Sequence, residues 1–567
     1  MPTTWSESAK ICLERRILAK DPETGEPIET PDEMILRVAS SIAAAEPNKS
    51  KQKEYTKRFY DLISGLEFLP NSPALVNAGR PLGQLAACFV LPVEDSIEGI
   101  FGSISLAAKI HQTGGGTGFN FSKLRPRGSR VKTTGNVASG PVTFMRVFDS
   151  ATEAIKQGGV RRGANMGVLN IEYPDIREFV HLKNDNVTLA NFNISVAISN
   201  RFMKHLEHDT PFMLTWGGRD FGTIKPYELW KEIAESAWIS GDPGILFMDR
   251  INEGNTVPGL GRIEATNPCG EVPLLPYHTC NLGSINVAKF VSGTAFDWPK
   301  LANAVSLATR FLDNIIDQNR YPNDLIDLNT KKARKIGLGV MGWADALIEL
   351  GIVYGSEQSM ALAGQVMGFI RNIANQTSVE LGQEKGVFPS FLQSVYNAET
   401  FRNATRTVIA PTGTLSILAN CSSGIEPLFD LSISKRVMDT TLNQTSPAAM
   451  RRLDTHGKDE VLATAHEISI DRHVAMQAAF QQHVDDSISK TINFPNFATP
   501  QDIMDAYWQA WKSDCKGITI FRDGCKGAGA QVLSSGIMDR CPDCDIPLER
   551  KEGCAECPSC GAGLCAA

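Results

Sequence analysis

The chain has 567 residues, a formal net charge of −7, 42% hydrophobic and 21% charged residues. Such a length exceeds the size at which one core stops growing, so one large domain with appendages, or two to three domains, is expected. The acidic balance argues against a general nucleic-acid or anionic-membrane surface, and no apolar run approaches the roughly 18 residues needed to span a bilayer.

Residues 1–8 lack a charged region followed by an apolar stretch, so no secretory signal is visible and a cytoplasmic location is expected. In that compartment 13 cysteines point to catalytic or metal-binding thiols, not to a disulfide scaffold. Residues 1 to about 60 carry helical signals, broken by turn chemistry at 21–27. Thr30-Pro31-Asp32-Glu33 reads as an N-cap with proline at the first helical position, and helical apolar spacing follows through 34–43. Between about 65 and 530, short apolar stretches at 87–91, 167–171, 193–198 and 406–409 alternate with longer helical patterns, which predicts an α/β fold.

Two stretches, 123–139 and 158–166, are rich in glycine and basic residues; by themselves they read as mobile surface loops. The basic cluster at 331–335 reads as a solvated helix face. Gly337-Leu338-Gly339-Val340-Met341-Gly342 fits the dinucleotide-binding spacing, but basic residues precede it where a strand should. Close packing of a helix is the better reading. Pro411-Thr412-Gly413-Thr414-Leu415-Ser416 follows an apolar strand-like run; a turn of this kind opening a helix offers N–H groups to a phosphate, or is an ordinary capped turn.

In Asn267-Pro268-Cys269-Gly270-Glu271, an extended backbone would project Asn267, Cys269 and Glu271 from one face. Pro268 donates no ladder hydrogen bond and Gly270 adds no side chain. The segment therefore reads as a thin finger presenting an amide, a thiol and a carboxylate, a set suited to radical or nucleophilic sulfur chemistry beside a general base. The alternative is a buried cysteine in a loop. Cys88 and Cys280 are either packing residues or a dithiol, since two thiols closing to a disulfide release two electrons and two protons. After a flexible linker over 527–536, two Cys-x-x-Cys knuckles (Cys541 and Cys544, Cys557 and Cys560) have the spacing of a four-thiolate zinc ribbon, leaving Cys554 and Cys565 as spare thiols. A purely redox tail is the competing reading.

These motifs occur in one order with Phe68-Leu69-Pro70-Asn71-Ser72-Pro73, Ala87-Cys88, Gly114-Gly115-Gly116-Thr117-Gly118 and Gly158-Gly159-Val160-Arg161-Arg162-Gly163-Ala164-Asn165-Met166. Together they resemble the catalytic subunit of ribonucleotide reductases, most closely the adenosylcobalamin-dependent class, from about residue 30 to the C-terminus. The resemblance implies a ten-stranded α/β barrel with a central finger loop over 65–526, after a helical region at 1–64 and before a linker and cysteine-rich tail at 527–567. It implies reduction of ribonucleotides, diphosphates in particular, to 2′-deoxyribonucleotides for DNA synthesis, with adenosylcobalamin as the radical source and possible zinc in the tail.

In that scheme Cys269 carries the thiyl radical, Glu271 is the base, Asn267 holds the substrate, and Cys88 and Cys280 supply the reducing equivalents. Ser72, Ala87, Gly116, Pro268, Gly270 and the phosphate loop Pro411, Thr412, Gly413, Thr414 and Leu415 complete the nucleotide site. Arg161, Arg162, Gly163 and Asn165 belong to loops that bind a deoxynucleotide or ATP effector. Cys554 and Cys565 relay electrons from a thioredoxin- or glutaredoxin-type reductant, and the chain is expected to form a homodimer without stable nucleic-acid or membrane partners. None of the tyrosines (55, 60, 173, 227, 277, 321, 354, 396, 507) is adjacent to another, unlike the tyrosine pair of oxygen-dependent catalytic subunits, and no glycyl-radical loop is visible. Two alternatives remain: an oxygen-dependent catalytic subunit with a separate radical partner, and a catalytically dead barrel carrying a zinc-ribbon nucleic-acid module.

Overall fold

The structure is a computed structural model that describes residues 3–130, 135–156, 163–437 and 440–525, with backbone only at 432–444 and in short strands between 533 and 565. Three helices, Glu7–Arg16, Pro31–Ala43 and Lys49–Ser64, form the N-terminal region. The second starts where its sequence demands: Thr30 and Glu33 form a reciprocal capping box. Arg310 clamps this region to the rest of the chain, donating to Glu46 at 2.7 and 2.9 Å, and Asn314 adds a bond of 2.8 Å. Burial opposes ionisation of Glu46, but the Arg310 and Asn314 hydrogen bonds outweigh it and hold the carboxyl below its ordinary range.

The central sheet contains β1 (Phe68–Pro70), β2 (Cys88–Val90), β3 (Gly116–Asn120), β4 (Asn165–Asn170) and β5 (Phe192–Ile198). It continues with β6 (Gly244–Phe247), β7 (His278–Asn286), β8 (Ile336–Met341), β9 (Thr491–Phe494) and β10 (Gly517–Arg522). Strands β2 to β6 are mutually parallel in chain order. The other half begins with β7 parallel to β8 and ends with β9 parallel to β10. Between β8 and β9 lies a fifth stave, residues 405–409, bridged in parallel at Leu338↔Thr407 and Ile409↔Ile488. Val408 N–H donates to Leu338 at 3.1 Å and Ser489 N–H to Ile409 at 2.8 Å. The two halves meet antiparallel at β2–β7 and β6–β10, which closes the ring. The expected barrel of ten staves is therefore present. Its members are β2 to β10 and the bridged segment, while β1 hangs antiparallel on β7 as a spur.

Side chains along the staves alternate between two environments, the period-two rule for strands buried on both faces. Met166 and Val168 of β4, Ala197 of β5, Leu246 of β6 and Val408 pack inside the ring with Cys88 and Cys280. Their neighbours Leu169, Val196, Ile245 and Phe247 pack outward under helices.

A short antiparallel hairpin, Ala265–Thr266 against Pro273–Leu274, runs inside the barrel. It passes so close to β3 that a Cβ on Gly118 would lie 1.7 Å from the Thr266 carbonyl oxygen, and one on Gly116 would lie 2.8 Å from Pro268 Cγ. The Gly337–Gly342 motif is not a phosphate loop. Residues 337–341 lie in β8, where Cβ atoms on Gly337 and Gly339 would strike Val408 Cγ1 at 2.5 Å and the Val408 carbonyl at 2.2 Å. Close packing was the expected role, but against a neighbouring stave and not a helix.

The basic cluster at 331–335 departs from expectation. Arg334 and Lys335 are buried, not solvated: Arg334 adopts a left-handed backbone (φ 47°) and grips Asp313 and Asp317. Its guanidinium is desolvated but matched by these carboxylates, which is why a buried charge is tolerated there.

Replacing Gly118 with alanine forces either β3 or the hairpin to move. The expected cost is about 1–3 kcal/mol of stability, typical of overpacking, with displacement of the hairpin tip. Denaturant unfolding and the solvent reactivity of Cys269 measure both.

Candidate active site

The tip of the inner hairpin spans residues 267–272. Gly270 takes φ +81° and its N–H donates to the Asn267 carbonyl at 3.0 Å, which makes the tip a tight turn. Asn267 Oδ1 accepts from Val272 N–H at 3.0 Å and closes the turn from its other side. This corrects the extended-strand expectation. Asn267, Cys269 and Glu271 do not share one exposure: Asn267 and Glu271 are buried, whereas Cys269 is exposed. A glycine with positive φ reverses the chain between the thiol and the carboxylate, so the alternation rule does not apply there.

Separate parts of the barrel wall hold the hairpin by its backbone. Asn120 of β3 donates to the Glu264 carbonyl and Asn193 of β5 to the Pro268 carbonyl, each at 2.8 Å. Lys335 Nζ donates to the Pro273 carbonyl, and Ser487 N–H to that of Glu271, each at 2.9 Å. Lys335 also pairs with buried Asp486 at 2.9 Å. These anchors carry no motif and were invisible in sequence. Asparagines in strands and an Asp485-Asp486 dipeptide after a helix are common, and only the fold aims them at the hairpin.

Cys88 and Cys280 are directly opposite each other on the antiparallel pair β2–β7. Facing residues in such a pair have Cβ atoms about 4.5–5.5 Å apart, near the span that a disulfide bridges after small adjustment. Both are buried, and burial followed by the charge of Asp486 pushes the Cys280 thiol well above its ordinary value. It is held protonated. Gly116, the partner of Cys88 on β3, is also the residue against which Pro268 packs, so the dithiol and the hairpin tip share one neighbourhood.

A cavity of about 630 Å³ opens onto Pro268, Cys269 and Gly270. Its walls include Pro411 of the expected phosphate loop, Glu426, and the 518–521 stretch of β10. No tyrosine is among its lining residues. Thr412 has a left-handed backbone (φ 53°), its hydroxyl accepts from Gly424 N–H at 2.8 Å, and the helix Gly413–Ala419 starts beyond it. Gly413 faces open space; Leu415 is buried in that helix and Thr414 is half-buried. Ser72 opens the helix Ser72–Asn77, while Ala87 accepts from Gly116 N–H at 2.8 Å.

The effector-loop residues divide. Arg161 and Arg162 lie outside the described residues. Gly163 sits against Thr152 and His111, and a Cβ there would meet His111 at 3.0 Å. Asn165 is the buried first residue of β4, and its amide bonds Thr117 and Thr152. Cys541, Cys544, Cys557 and Cys560 also lie outside the described residues, whereas Cys554 and Cys565 are backbone partners in a small sheet. Among the described residues no His, Cys, Asp and Glu group could hold a metal, and no helix is long and apolar enough to cross a membrane.

A closed barrel of two antiparallel five-stave halves, with a cysteine-tipped hairpin inside and a cross-strand pair of thiols beside it, is the architecture of a thiol-radical reductase. Residues 86–401 and 392–521 match the family described as ribonucleotide reductase, barrel domain, and residues 6–83 match its all-alpha domain, so the chain belongs to the ribonucleotide reductase family. The all-alpha match extends beyond the boundary expected at residue 64. The chain is 47% identical over 516 residues to the vitamin B12-dependent ribonucleoside-diphosphate reductase of Thermoplasma acidophilum, covering 86% of this chain and 67% of that one. It is 42% identical over 561 residues to the protein of the same description from Mycobacterium tuberculosis strain CDC 1551, covering 94% and 81%. A vitamin B12-dependent ribonucleotide reductase of Streptomyces avermitilis is 30% identical over 80% of this chain and 58% of its own.

Burial holds three histidines neutral. His111 is lowered to about 4, His278 to about 3 with help from Lys335, and His473 to about 3 with help from Lys490. Unfolded histidine titrates near 6.5, so between there and about 4 the unfolded chain binds more protons than the folded one. Stability is therefore expected to fall as pH drops through 6.5 toward 4. Guanidinium midpoints measured from pH 7.5 to 4.5 check this; a flat profile contradicts it.

Proposed function

We propose that this chain reduces ribonucleoside diphosphates to 2′-deoxyribonucleotides with a thiyl radical on Cys269. The observation that carries the reading is that Cys269 is the exposed thiol at a cavity wall, next to a buried carboxylate and a facing pair of buried thiols.

Adenosylcobalamin fits this arrangement. The cavity at Cys269, about 630 Å³, has the volume of a small-molecule site and is large enough for the adenosyl group of that cofactor, and no tyrosine lines it. The relatives described as vitamin B12-dependent point the same way. Cys269, Pro268 and Gly270 would meet the cofactor at the cavity floor, with the 518–521 stretch as a wall. When bound, it supplies the one-electron oxidant that removes the hydrogen atom of the Cys269 thiol.

The remaining chemistry belongs to the chain. The Cys269 thiyl takes the 3′ hydrogen of the ribose, and Glu271 accepts the proton of the 3′ hydroxyl, which drives loss of the 2′ hydroxyl as water. Asn267, locked by its bond to Val272, holds the sugar against the thiol. Cys88 and Cys280 deliver two electrons and two protons and close to a disulfide, after which Cys269 returns the 3′ hydrogen. Burial holds the Cys280 proton in place until it is needed, and burial of the pair excludes water from the radical. Ser72, Ala87, Gly116 and the turn from Pro411 to Leu415 hold the nucleotide, with the N–H groups beyond Thr412 directed to phosphate. Arg161, Arg162, Gly163 and Asn165 serve the effector loops of a homodimer. Cys554 and Cys565 pass electrons from a thioredoxin- or glutaredoxin-type dithiol, and Cys541, Cys544, Cys557 and Cys560 hold zinc.

With adenosylcobalamin, dithiothreitol and CDP, the wild-type chain is expected to form dCDP without a second protein. Cys269→Ala abolishes turnover while nucleotide affinity is retained; substantial residual activity overturns the assignment. Glu271→Gln folds normally and slows turnover by about 10²–10⁴, the loss typical of a missing general base, and an unchanged rate removes Glu271 from the mechanism. Quantifying dCDP against time for each variant gives both results.

A further inference from the structure

The wall of the Cys269 cavity contains an ion pair that none of the reaction steps uses. Lys490 is wholly buried, and its ammonium group has three partners: Glu426 Oε2 at 2.7 Å, His473 Nδ1 at 3.2 Å and the Thr491 carbonyl at 3.2 Å. An ammonium group has three protons, so its donor capacity is filled. His473 donates its Nε2 proton to the Ala465 carbonyl at 2.9 Å, which leaves Nδ1 as the acceptor that Lys490 needs. The second oxygen of Glu426, Oε1, accepts from Thr491 N–H at 2.7 Å.

Glu426 itself is not buried. Its side chain is 24% exposed, against 0% for Lys490, and it lines the same cavity as Cys269. Of the cavity's carboxylates (Asp242, Glu426, Asp430 and Asp523), Glu426 alone is backed by a wholly buried cation. A carboxylate accepts about four hydrogen bonds, and one to each oxygen is supplied from behind. The remaining capacity is available at the cavity wall. Burying a lysine to fix one carboxylate carries a desolvation cost, and a hydrophobic residue would pack there more cheaply. The arrangement makes physical sense if the carboxylate must be ionised and immobile for something in the cavity.

We propose that Glu426 is a positioning residue that accepts hydrogen bonds from a ribose diol brought into the cavity beside Cys269. A fixed acceptor-only group matches two vicinal hydroxyl donors, the way acidic residues hold ribose in dinucleotide sites. Under the function proposed above, on which this rests, two riboses reach the neighbourhood of Cys269: that of the cofactor's adenosyl group and that of the substrate.

The test compares ligands that differ only in that chemistry, using the full chain. Binding of adenosylcobalamin and methylcobalamin is followed by their absorption spectra, and binding of CDP and dCDP by equilibrium dialysis, for wild type and Glu426→Gln. Adenosylcobalamin affinity falling about 10- to 100-fold, the loss of a charge-assisted hydrogen bond, with methylcobalamin unchanged, assigns Glu426 to the adenosyl ribose. A selective fall for CDP over dCDP assigns it to the substrate ribose. Equal losses across each pair, or none, overturn the proposal. Because Glu426→Gln strands a buried lysine, Glu426→Gln/Lys490→Met is measured alongside it and must show the same ligand discrimination. Wild type that binds no cobalamin refutes the cofactor reading, while the CDP arm still decides the role of Glu426.

Discussion

A ring of ten staves encloses more space than its own side chains can fill, since about eight strands already give a packed interior. Here the 265–274 hairpin completes the filling, and the rest of the site depends on that insertion. Backbone brought into a barrel carries N–H and carbonyl groups that must be satisfied away from water. Asn120, Asn193, Lys335 and Ser487 do so from separate positions around the wall. On β3, the missing side chains of Gly116 and Gly118 open the space it occupies. Restraint from several directions is what holds the tip at a defined depth with its sulfur facing the cavity.

The same restraint explains a second feature, the density of buried charge around the barrel. Lys335 with Asp486, Arg406 with Asp485 and Arg334 with Asp313 lie near the closing staves of the second half. Burial alone would keep Asp485 and Asp313 protonated, but Arg406 and Arg334 respectively override it and hold both below the usual carboxylate range. Such pairs add little net stability compared with apolar packing, yet breaking one is expensive. Their value is positional. Lys335 fixes β8, the 485–488 turn and the inner hairpin relative to one another through a single ammonium group.

Separation of thiols by exposure gives the site its chemical order. Cys269 is open to the cavity, where the proposed radical would be initiated, whereas Cys88 and Cys280 are shut away on a strand pair, and burial pushes the Cys280 thiol well above its ordinary value. A thiol pair exposed like Cys269 would oxidise at random; a buried, facing pair closes only when an electron acceptor reaches it.

The sequence by itself determined a good deal. Apolar stretches at 87–91, 167–171, 193–198 and 406–409 all became staves, because strands buried on both faces need continuous apolar runs whatever their neighbours. The Thr30 capping box was equally local. The order of the thiols and the carboxylate along the chain marked them as candidates. The tertiary structure decided everything that depends on two distant segments meeting. The Asn267–Glu271 trio looked co-facial by strand alternation, but a positive-φ glycine and a bond from Asn267 to Val272 turned the chain between them. Arg334 and Lys335 looked like solvated cations, and are buried because Asp313 and Asp486, far along the chain, reach them. Pairing of Cys88 with Cys280 across 192 positions, and of Glu426 with Lys490 behind the cavity wall, follows from strand register and barrel closure. Local composition encodes neither, because a charge or thiol acquires its function from what the fold places opposite it.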